Sequence, residues 1–83
     1  MNQTAEDLRA AVFSVLAEIA PEADAASVDP AESLRQQLDL DSMDFLNFVI
    51  GLHKRLGVEI PESDYSRLAS IDGAVTYLGA KEG

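Results

Sequence analysis

The sequence lacks cysteine and tryptophan entirely, and it has no long hydrophobic run. Without cysteine there are no disulfides and no thiolate chemistry, a composition compatible with the reducing cytoplasm, where we expect the protein to act. No apolar stretch approaches the length that spans a bilayer, and the N-terminus shows no basic region followed by a long apolar run. We therefore expect no signal peptide and no membrane insertion.

Basic residues are scarce: six lysines and arginines stand against fifteen aspartates and glutamates, which gives a net charge of −9. Such a surface repels nucleic acid phosphate and anionic lipid, so we expect no nucleic acid partner. It favours basic protein partners and speeds their encounter. The alternative is that the charge only keeps a small monomer in solution, and composition does not separate the two.

The residues of a catalytic apparatus are also missing. The one histidine, His53, follows Ser42 by eleven residues on the same predicted helix. At about 1.5 Å of rise per residue it lies roughly 16 Å away along the axis, too far to activate the hydroxyl. The acidic group Asp39, Asp41 and Asp44 does not fit an EF-hand loop, which needs glycine where Asp44 stands. We predict neither an enzyme nor a metal site.

The chain does contain enough apolar residues for one small core, since 47% of its 83 residues are hydrophobic. Residues 1–83 are predicted to form a single domain. Apolar residues recur at helical spacing and the β-pattern is absent, so we predict an all-α fold. The expected architecture is a small four-helix bundle, with three main helices, one short helix and a long structured loop between the first two main helices.

The first helix is predicted to begin at a capping box formed by Thr4 and Asp7. Its apolar residues recur at helical spacing: Leu8, Val12, Val15, Leu16 and Ile19. The helix should stop before Pro21, because the residue that precedes proline avoids the α region.

The connection over residues 21–41 contains the stretch "DPAES". This stretch predicts the start of a short helix, with Asp29 as cap, Pro30 at the first helical position and Glu32 closing the box. The connection also carries four apolar residues: Val28, Leu34, Leu38 and Leu40. A floppy linker would not need them, so we expect the connection to pack on the core.

The second main helix is predicted to begin at Asp41 or Ser42, to run to about Leu56 and to stop at Gly57. Its apolar residues are too many for a single core-facing stripe. The arc that faces the core consists of Phe45, Phe48, Val49, Leu52 and Leu56. The edge stripe consists of Met43, Leu46 and Ile50. We predict that part of the edge stripe is exposed for a partner, the alternative being that it packs against the connection.

The last third of the chain is predicted to be helical after a short extended segment. Val58–Ile60 lead into a short helix that begins after Pro61. The inward contacts of this helix are Tyr65 and Leu68. Ser70 caps the last helix, whose inward residues are Ile71, Val75 and Leu78. We expect Gly79 to end this helix and residues 79–83 to form a frayed tail.

The stretch "LDLDSMDFL" places Ser42 at the start of the second main helix. A serine in this position often does no more than help to cap the helix. The position also suits covalent attachment of a phosphate, because the hydroxyl is exposed and a helix N-terminus favours an anion. Asp41 can likewise serve as a cap, as a contact for a modifying enzyme, or as both.

Two segments, "LDLDSMDFLNFVIGLHKRLGVEIP" and "SIDGAVTYL", resemble the acyl carrier protein family, and the similarity extends from about Leu34 to Leu78. The resemblance implies that a phosphopantetheinyl transferase attaches 4'-phosphopantetheine from coenzyme A to Ser42, with Asp41 aiding recognition. A freestanding protein of this family would carry acyl groups as thioesters, and it would catalyse nothing itself. Its partners would be acyl-loading, condensing or acyl-transferring enzymes of fatty acid, polyketide or specialised lipid synthesis. An aminoacyl or peptidyl carrier and an unmodified binding adaptor remain as alternatives.

The same resemblance implies roles for two further groups of residues. The residues that it presents to partner enzymes are Met43, Asp44, Leu46, Ile50 and Glu62. It also implies that the acyl chain is sheltered inside the bundle. The candidates for lining that space are Phe48, Leu52, Ile60, Leu68 and Tyr77. Of these, Phe48 and Tyr77 would narrow the space.

Three departures from the family pattern stand out. Asp39 occupies a place where the family usually has glycine, and aspartate tolerates a left-handed backbone better than most residues. Met43 replaces leucine, a swap that conserves volume. The second main helix ends in His53–Arg55, where fatty-acid carriers are typically acidic, and Asn47 stands where an acid is common. We infer a specialised carrier rather than the general fatty-acid one.

Overall fold

The computed structural model describes residues 4–22, 24 and 27–82, and this part of the chain is helical without strands. The elements in chain order are α1 (Ala5–Ile19), α2 (Leu34–Leu38), α3 (Ser42–Leu56), a 3₁₀ helix (Glu62–Leu68) and α4 (Ile71–Glu82). The predicted all-α class and its three main helices are confirmed. α2 is the short helix of the connection, which the predicted four-helix count did not include.

The capping box predicted for α1 is present. The Thr4 hydroxyl accepts a hydrogen bond from the Asp7 backbone N–H at 3.1 Å, and the Asp7 carboxylate accepts one from the Thr4 backbone N–H at 3.2 Å. Each of these residues therefore satisfies a backbone donor that the helix itself leaves unpaired. Sequence reasoning located this helix start to the residue.

The start predicted for the short helix in the connection was wrong. α2 begins at Leu34 and is capped by Ser33, whose hydroxyl accepts from the Gln36 N–H at 3.3 Å. Asp29 instead accepts from the Ala31 N–H at 3.0 Å. This bond spans two residues and closes a turn rather than a helix, a conformation that aspartate favours. The Asp29 side chain therefore closes this turn and does not cap a helix.

The connection packs against the last part of the chain, as its apolar residues predicted. Leu34 is fully buried, and its backbone N–H donates to the Ala69 carbonyl at 2.8 Å. Asp72 donates its backbone N–H to the Pro30 carbonyl at 2.9 Å. These two bonds tie the connection to the residues that begin α4.

The predicted end of the last helix was also wrong, because α4 continues through Gly79 to Glu82. One helical glycine costs about 1 kcal/mol relative to alanine, which packing can offset. Tyr77 and Leu78 are buried just before it. A Cβ added at Gly79 would lie in ordinary contact with Leu8 of α1, 3.7 Å from its Cδ1. At Gly79, α4 therefore still lies against α1.

α1 lies at the centre of the bundle and packs against both α3 and α4. It approaches α3 closely at Gly51, where an added Cβ would lie 2.6 Å from Val15 Cγ1. The residues buried in the core come from every helix: Leu8, Val12, Val15, Leu16, Leu34, Phe48, Val49, Leu52, Leu68, Ile71, Ala74 and Leu78. None of the described helices combines the length and the apolar character that a bilayer-spanning segment requires.

Candidate functional site

The turn that leads into α3 depends on Asp39. This residue has φ 54° and ψ 46°, in the left-handed region. Left-handed backbone is strained for most residues, and aspartate is among the few that adopt it. The next residue, Leu40, is buried and donates its N–H to the Arg35 carbonyl at 3.0 Å. The departure at Asp39 therefore preserves the turn, as the sequence predicted.

A second capping box holds the N-terminus of α3. The Asp41 carboxylate accepts from the Asp44 backbone N–H at 2.8 Å, and the Asp44 carboxylate accepts from the Asp41 N–H at 3.4 Å. Sequence reasoning anticipated Asp41 as a cap but missed its reciprocal partner. The signal was present, because an acid three residues after the cap is the same pattern that identified α1.

Ser42 is the first residue of α3, and it is exposed. Among the described residues, none forms a hydrogen bond with its hydroxyl. The N–H groups of the first turn point out of the helix end, and the helix dipole places partial positive charge there. A phosphate ester on this hydroxyl would meet a favourable field and an open approach, so the residues fit a phosphate-linked group.

The site has no chemistry of its own for activating Ser42. His53 lies near the other end of α3, and its Nδ1 donates to the Val58 carbonyl at 2.8 Å. The ring is exposed, but one nitrogen is held by the backbone. In the described part of the chain, no group of three acidic or histidine side chains is placed to hold a metal ion.

An exposed line runs along α3 from the site. Met43, Asn47, Ile50 and Lys54 follow one another at helical spacing, and all four are exposed. The exposed fractions of Met43 and Ile50 are 63% and 39%. The third edge residue, Leu46, is half-buried. We call Met43, Asn47, Ile50 and Lys54 the outward line. The predicted exposure of the edge stripe is confirmed for Met43 and Ile50.

The two acids that the resemblance assigned to partner contact occupy different settings. Glu62 is exposed at the start of the 3₁₀ helix. Asp44 is half-buried, and its carboxylate belongs to the capping box of α3. Its negative charge can still attract a basic partner, but its hydrogen bond stabilises the start of α3.

The five residues named for an acyl pocket do not all share one environment. Phe48, Leu52 and Leu68 have no exposed surface and belong to the packed core. Ile60 is half-buried at the edge. Tyr77 is 7% exposed, and its hydroxyl donates to the Asp64 carboxylate at 2.6 Å.

The Tyr77–Asp64 hydrogen bond joins α4 to the 3₁₀ helix, and sequence reasoning did not foresee it. Burial raises the pKa of Tyr77 to about 12, and the hydrogen bond to Asp64 and the carboxylate charge act in the same direction. The hydroxyl therefore remains protonated and available as a donor at neutral pH. The two residues are thirteen positions apart on different elements, so no local pattern reveals the pair.

Comparison with known proteins places this geometry in a family. The family model described as "Phosphopantetheine attachment site" matches residues 8–78. An acyl carrier protein from Campylobacter hominis is 36% identical over 73 residues, which cover 88% of this chain and 86% of that protein. One from Myxococcus xanthus is 31% identical over 70 residues, which cover 81% of this chain and 89% of the relative.

The fold has a solved counterpart in the acyl carrier protein from Enterococcus faecalis. The two structures superpose with a TM-score of 0.79, at 23% sequence identity, over 95% of this chain and 99% of that one. At this level of identity, the likeness concerns the fold.

Proposed function

The chain belongs to the acyl carrier protein family, whose prosthetic group is covalently attached 4'-phosphopantetheine, and from that premise we propose that Ser42 is the attachment residue. The observation that carries the proposal is the exposed Ser42 hydroxyl on the first residue of α3, directly after the Asp41 cap. The protein then acts as a carrier of acyl groups and has no catalytic activity of its own. Residues 1–83 act as a single carrier domain.

The residues around Ser42 present it rather than activate it. The capping box of Asp41 and Asp44 fixes where α3 begins, so the hydroxyl stays at the helix end. The first-turn N–H groups and the helix dipole stabilise the phosphodiester charge. When attached, 4'-phosphopantetheine supplies a terminal thiol that holds the cargo as a thioester. Since His53 lies near the far end of α3, a phosphopantetheinyl transferase must supply the base that deprotonates Ser42.

Partner enzymes are proposed to dock along α3, with Met43, Leu46 and Ile50 as apolar contacts and Asp44 and Glu62 as acidic ones. The exposure of Met43 and Ile50 supports this face, because large apolar side chains on a surface commonly mark a partner site.

The charge along the outward line supports a specialised set of partners. Its only ionic residue is Lys54, which forms no ion pair with the described residues. The neighbouring Arg55 forms an ion pair with Glu18 of α1, with its Nη1 3.9 Å from Glu18 Oε2. A partner that docks on a continuously acidic helix would therefore meet a cation at the C-terminal end of α3. This favours partners whose surface is basic opposite Ser42 and neutral or acidic opposite Lys54.

The attachment proposal is tested by loading the apo protein from coenzyme A with a broad-specificity phosphopantetheinyl transferase. Intact mass spectrometry should show a gain of one phosphopantetheine in the parent protein and no gain in Ser42→Ala. Ser66→Ala is the matched control, because Ser66 is exposed on the 3₁₀ helix, and it should load as the parent does. If the parent stays unmodified while a known carrier loads under the same conditions, the protein is an adaptor of this fold and the proposal fails.

A further inference from the structure

Three aromatic side chains, Phe45, Phe48 and Tyr65, fill the space between α3 and the 3₁₀ helix; we call them the aromatic cluster. The ring centroids of Phe45 and Phe48 are 6.0 Å apart, and those of Phe45 and Tyr65 are 6.5 Å apart in an edge-on arrangement. The Arg35 guanidinium covers Phe45 at 5.8 Å from its centroid. These are favourable aromatic and cation–π geometries, so a chain that enters here has to disrupt them.

The 3₁₀ helix and the segment that precedes it are also held by hydrogen bonds from both sides. Tyr77 of α4 donates to the Asp64 carboxylate at 2.6 Å. His53 of α3 donates to the Val58 carbonyl at 2.8 Å. Moving the 3₁₀ helix outward, to open a path into the core, strains the bond to α4, while the His53 bond fixes the segment that leaves α3. Charge-assisted bonds such as that of Tyr77 are the stronger kind.

Behind the aromatic cluster the core is filled. Phe48, Leu52 and Leu68 have no exposed surface and pack together with residues of the other helices. A long alkyl chain can be seated there only if these side chains move apart, and protein interiors resist the insertion of extra methylene groups.

A groove remains open on the outer side of the cluster, and we call it the rim groove. Its volume is about 180 Å³, and it is lined by Val49, Ile50, His53, Glu59, Ile60 and Tyr65. For scale, a cavity of about 150 Å³ accommodates benzene, which has six carbons. Because His53 and Glu59 are among its lining residues, an apolar chain longer than the groove would meet polar groups and solvent.

We propose that the rim groove, and not the bundle interior, receives the cargo, and that the cargo is a short acyl group of about six carbons or fewer. The inference rests on the proposed attachment at Ser42, since it concerns what the attached arm carries. Tyr65 is the residue that separates the two compartments, because it lines the rim groove and belongs to the aromatic cluster. Phe48, named from sequence as narrowing a pocket, is part of the closure itself.

The test loads the protein with acetyl, hexanoyl and dodecanoyl groups from the corresponding acyl-coenzyme A thioesters, using a broad-specificity transferase. Intact mass establishes loading for each species before any further measurement, so a failure to load bears on the attachment proposal alone. The thermal midpoint of each loaded species is then compared, because a chain that binds the folded state stabilises it. We expect the midpoint to rise from acetyl to hexanoyl and to rise no further with dodecanoyl.

Tyr65→Ala opens the cluster and should convert this plateau into a continued rise from hexanoyl to dodecanoyl. Phe13→Ala is the matched control, since it removes a half-buried aromatic residue of α1 that does not belong to the cluster, and it should keep the plateau. Hydroxylamine cleavage of the thioester gives a second readout at constant temperature, because a chain that is inside for about 90% of the time is cleaved about tenfold more slowly.

A parent protein whose midpoint rises from hexanoyl to dodecanoyl, with matching protection from hydroxylamine, would overturn the inference. A plateau that persists in Tyr65→Ala, with the variant still folded, would overturn the role assigned to Tyr65.

Discussion

Asp39 and Gly51 show how single residues position the site. Asp39 accepts a left-handed conformation so that the chain can turn from α2 into α3. Gly51 lets α3 approach α1 at a distance where the Cβ of any other residue would collide with Val15. A residue in the turn before α3 and a residue in the middle of α3 thus both serve backbone geometry. The sequence analysis singled out Asp39, whereas the close approach of Gly51 to Val15 of a neighbouring helix is shown only by the structure.

Tyr77 supplies a pH-dependent contribution to stability. Its pKa in the folded protein is about 12, whereas tyrosine in an unfolded chain titrates near 10. A group whose pKa is raised by folding stabilises the protein fully below the unfolded value and loses that effect as pH rises through the folded one. At neutral pH, Tyr77→Phe should lower the free energy of unfolding by about 0.5–1.5 kcal/mol, the range for an ordinary hydrogen bond, because Asp64 is half-buried and solvent screens its charge.

Urea denaturation of the parent and Tyr77→Phe at a series of pH values checks this expectation. The difference between them should be constant from about pH 7 to about pH 10 and should shrink as the pH rises towards 12. Tyr65→Phe is the control, since the Tyr77 contribution is present in both proteins of that comparison. A Tyr77→Phe difference that stays constant up to pH 12 would contradict the assignment.

At the scale of elements, the start of α3 has a structural role, and we propose that it also presents the attachment residue. Its capping box involves Asp41 and Asp44, and Ser42 lies between them. Caps stabilise helices by satisfying backbone donors, and asparagine and aspartate do this about equally well. The observed role of Asp41 as a cap and its proposed role as a contact for the transferase can therefore be separated by substitution.

Asp41→Asn keeps the cap and removes the charge, whereas Asp41→Ala removes both. We expect Asp41→Ala to cost about 1 kcal/mol of stability and Asp41→Asn to cost little. Both variants should be loaded by the transferase more slowly than the parent, because both lack the charge. Thermal denaturation and the initial rate of loading measure the two effects. A parent-like loading rate in Asp41→Asn would leave Asp41 with the capping role alone.

At the scale of the whole molecule, the net charge of −9 acts across the entire fold. The molecule measures 32 × 25 × 20 Å. At about 0.01 M ionic strength the screening length is roughly 30 Å, so charges on opposite sides repel each other, whereas at about 0.1 M it is roughly 10 Å. A folded state with this charge is therefore destabilised by self-repulsion at low salt.

We expect the thermal midpoint to rise by several degrees as sodium chloride is raised over this range. Lys54→Glu should show a larger rise, because it makes the net charge more negative, and Glu22→Gln should show a smaller one. Lys54 and Glu22 are both exposed, so neither substitution alters the core. A thermal midpoint that is independent of salt in all three proteins would contradict the role of self-repulsion.

The sequence by itself determined the features that depend on neighbouring residues. The capping box of α1, the start of α3 at Ser42 and its stop at Gly57 follow from residues within one helical turn of each other. The exposure of Met43 and Ile50 follows from helical spacing in the same way, and the turn at Asp39 was expected from the family resemblance together with the side-chain type. These features position the candidate attachment site, which is why the site could be predicted.

Only the tertiary structure decided what depends on residues far apart in the chain. α4 passes through Gly79 because α1 packs against it, and His53 is held by a carbonyl beyond the end of its own helix. The Tyr77–Asp64 bond and the aromatic cluster join separate elements. Many long-range contacts are compatible with the same local pattern, and side-chain packing determines which of them form. The sequence therefore indicated the residue proposed for attachment, and the packing between helices carries the proposal of where the cargo lies.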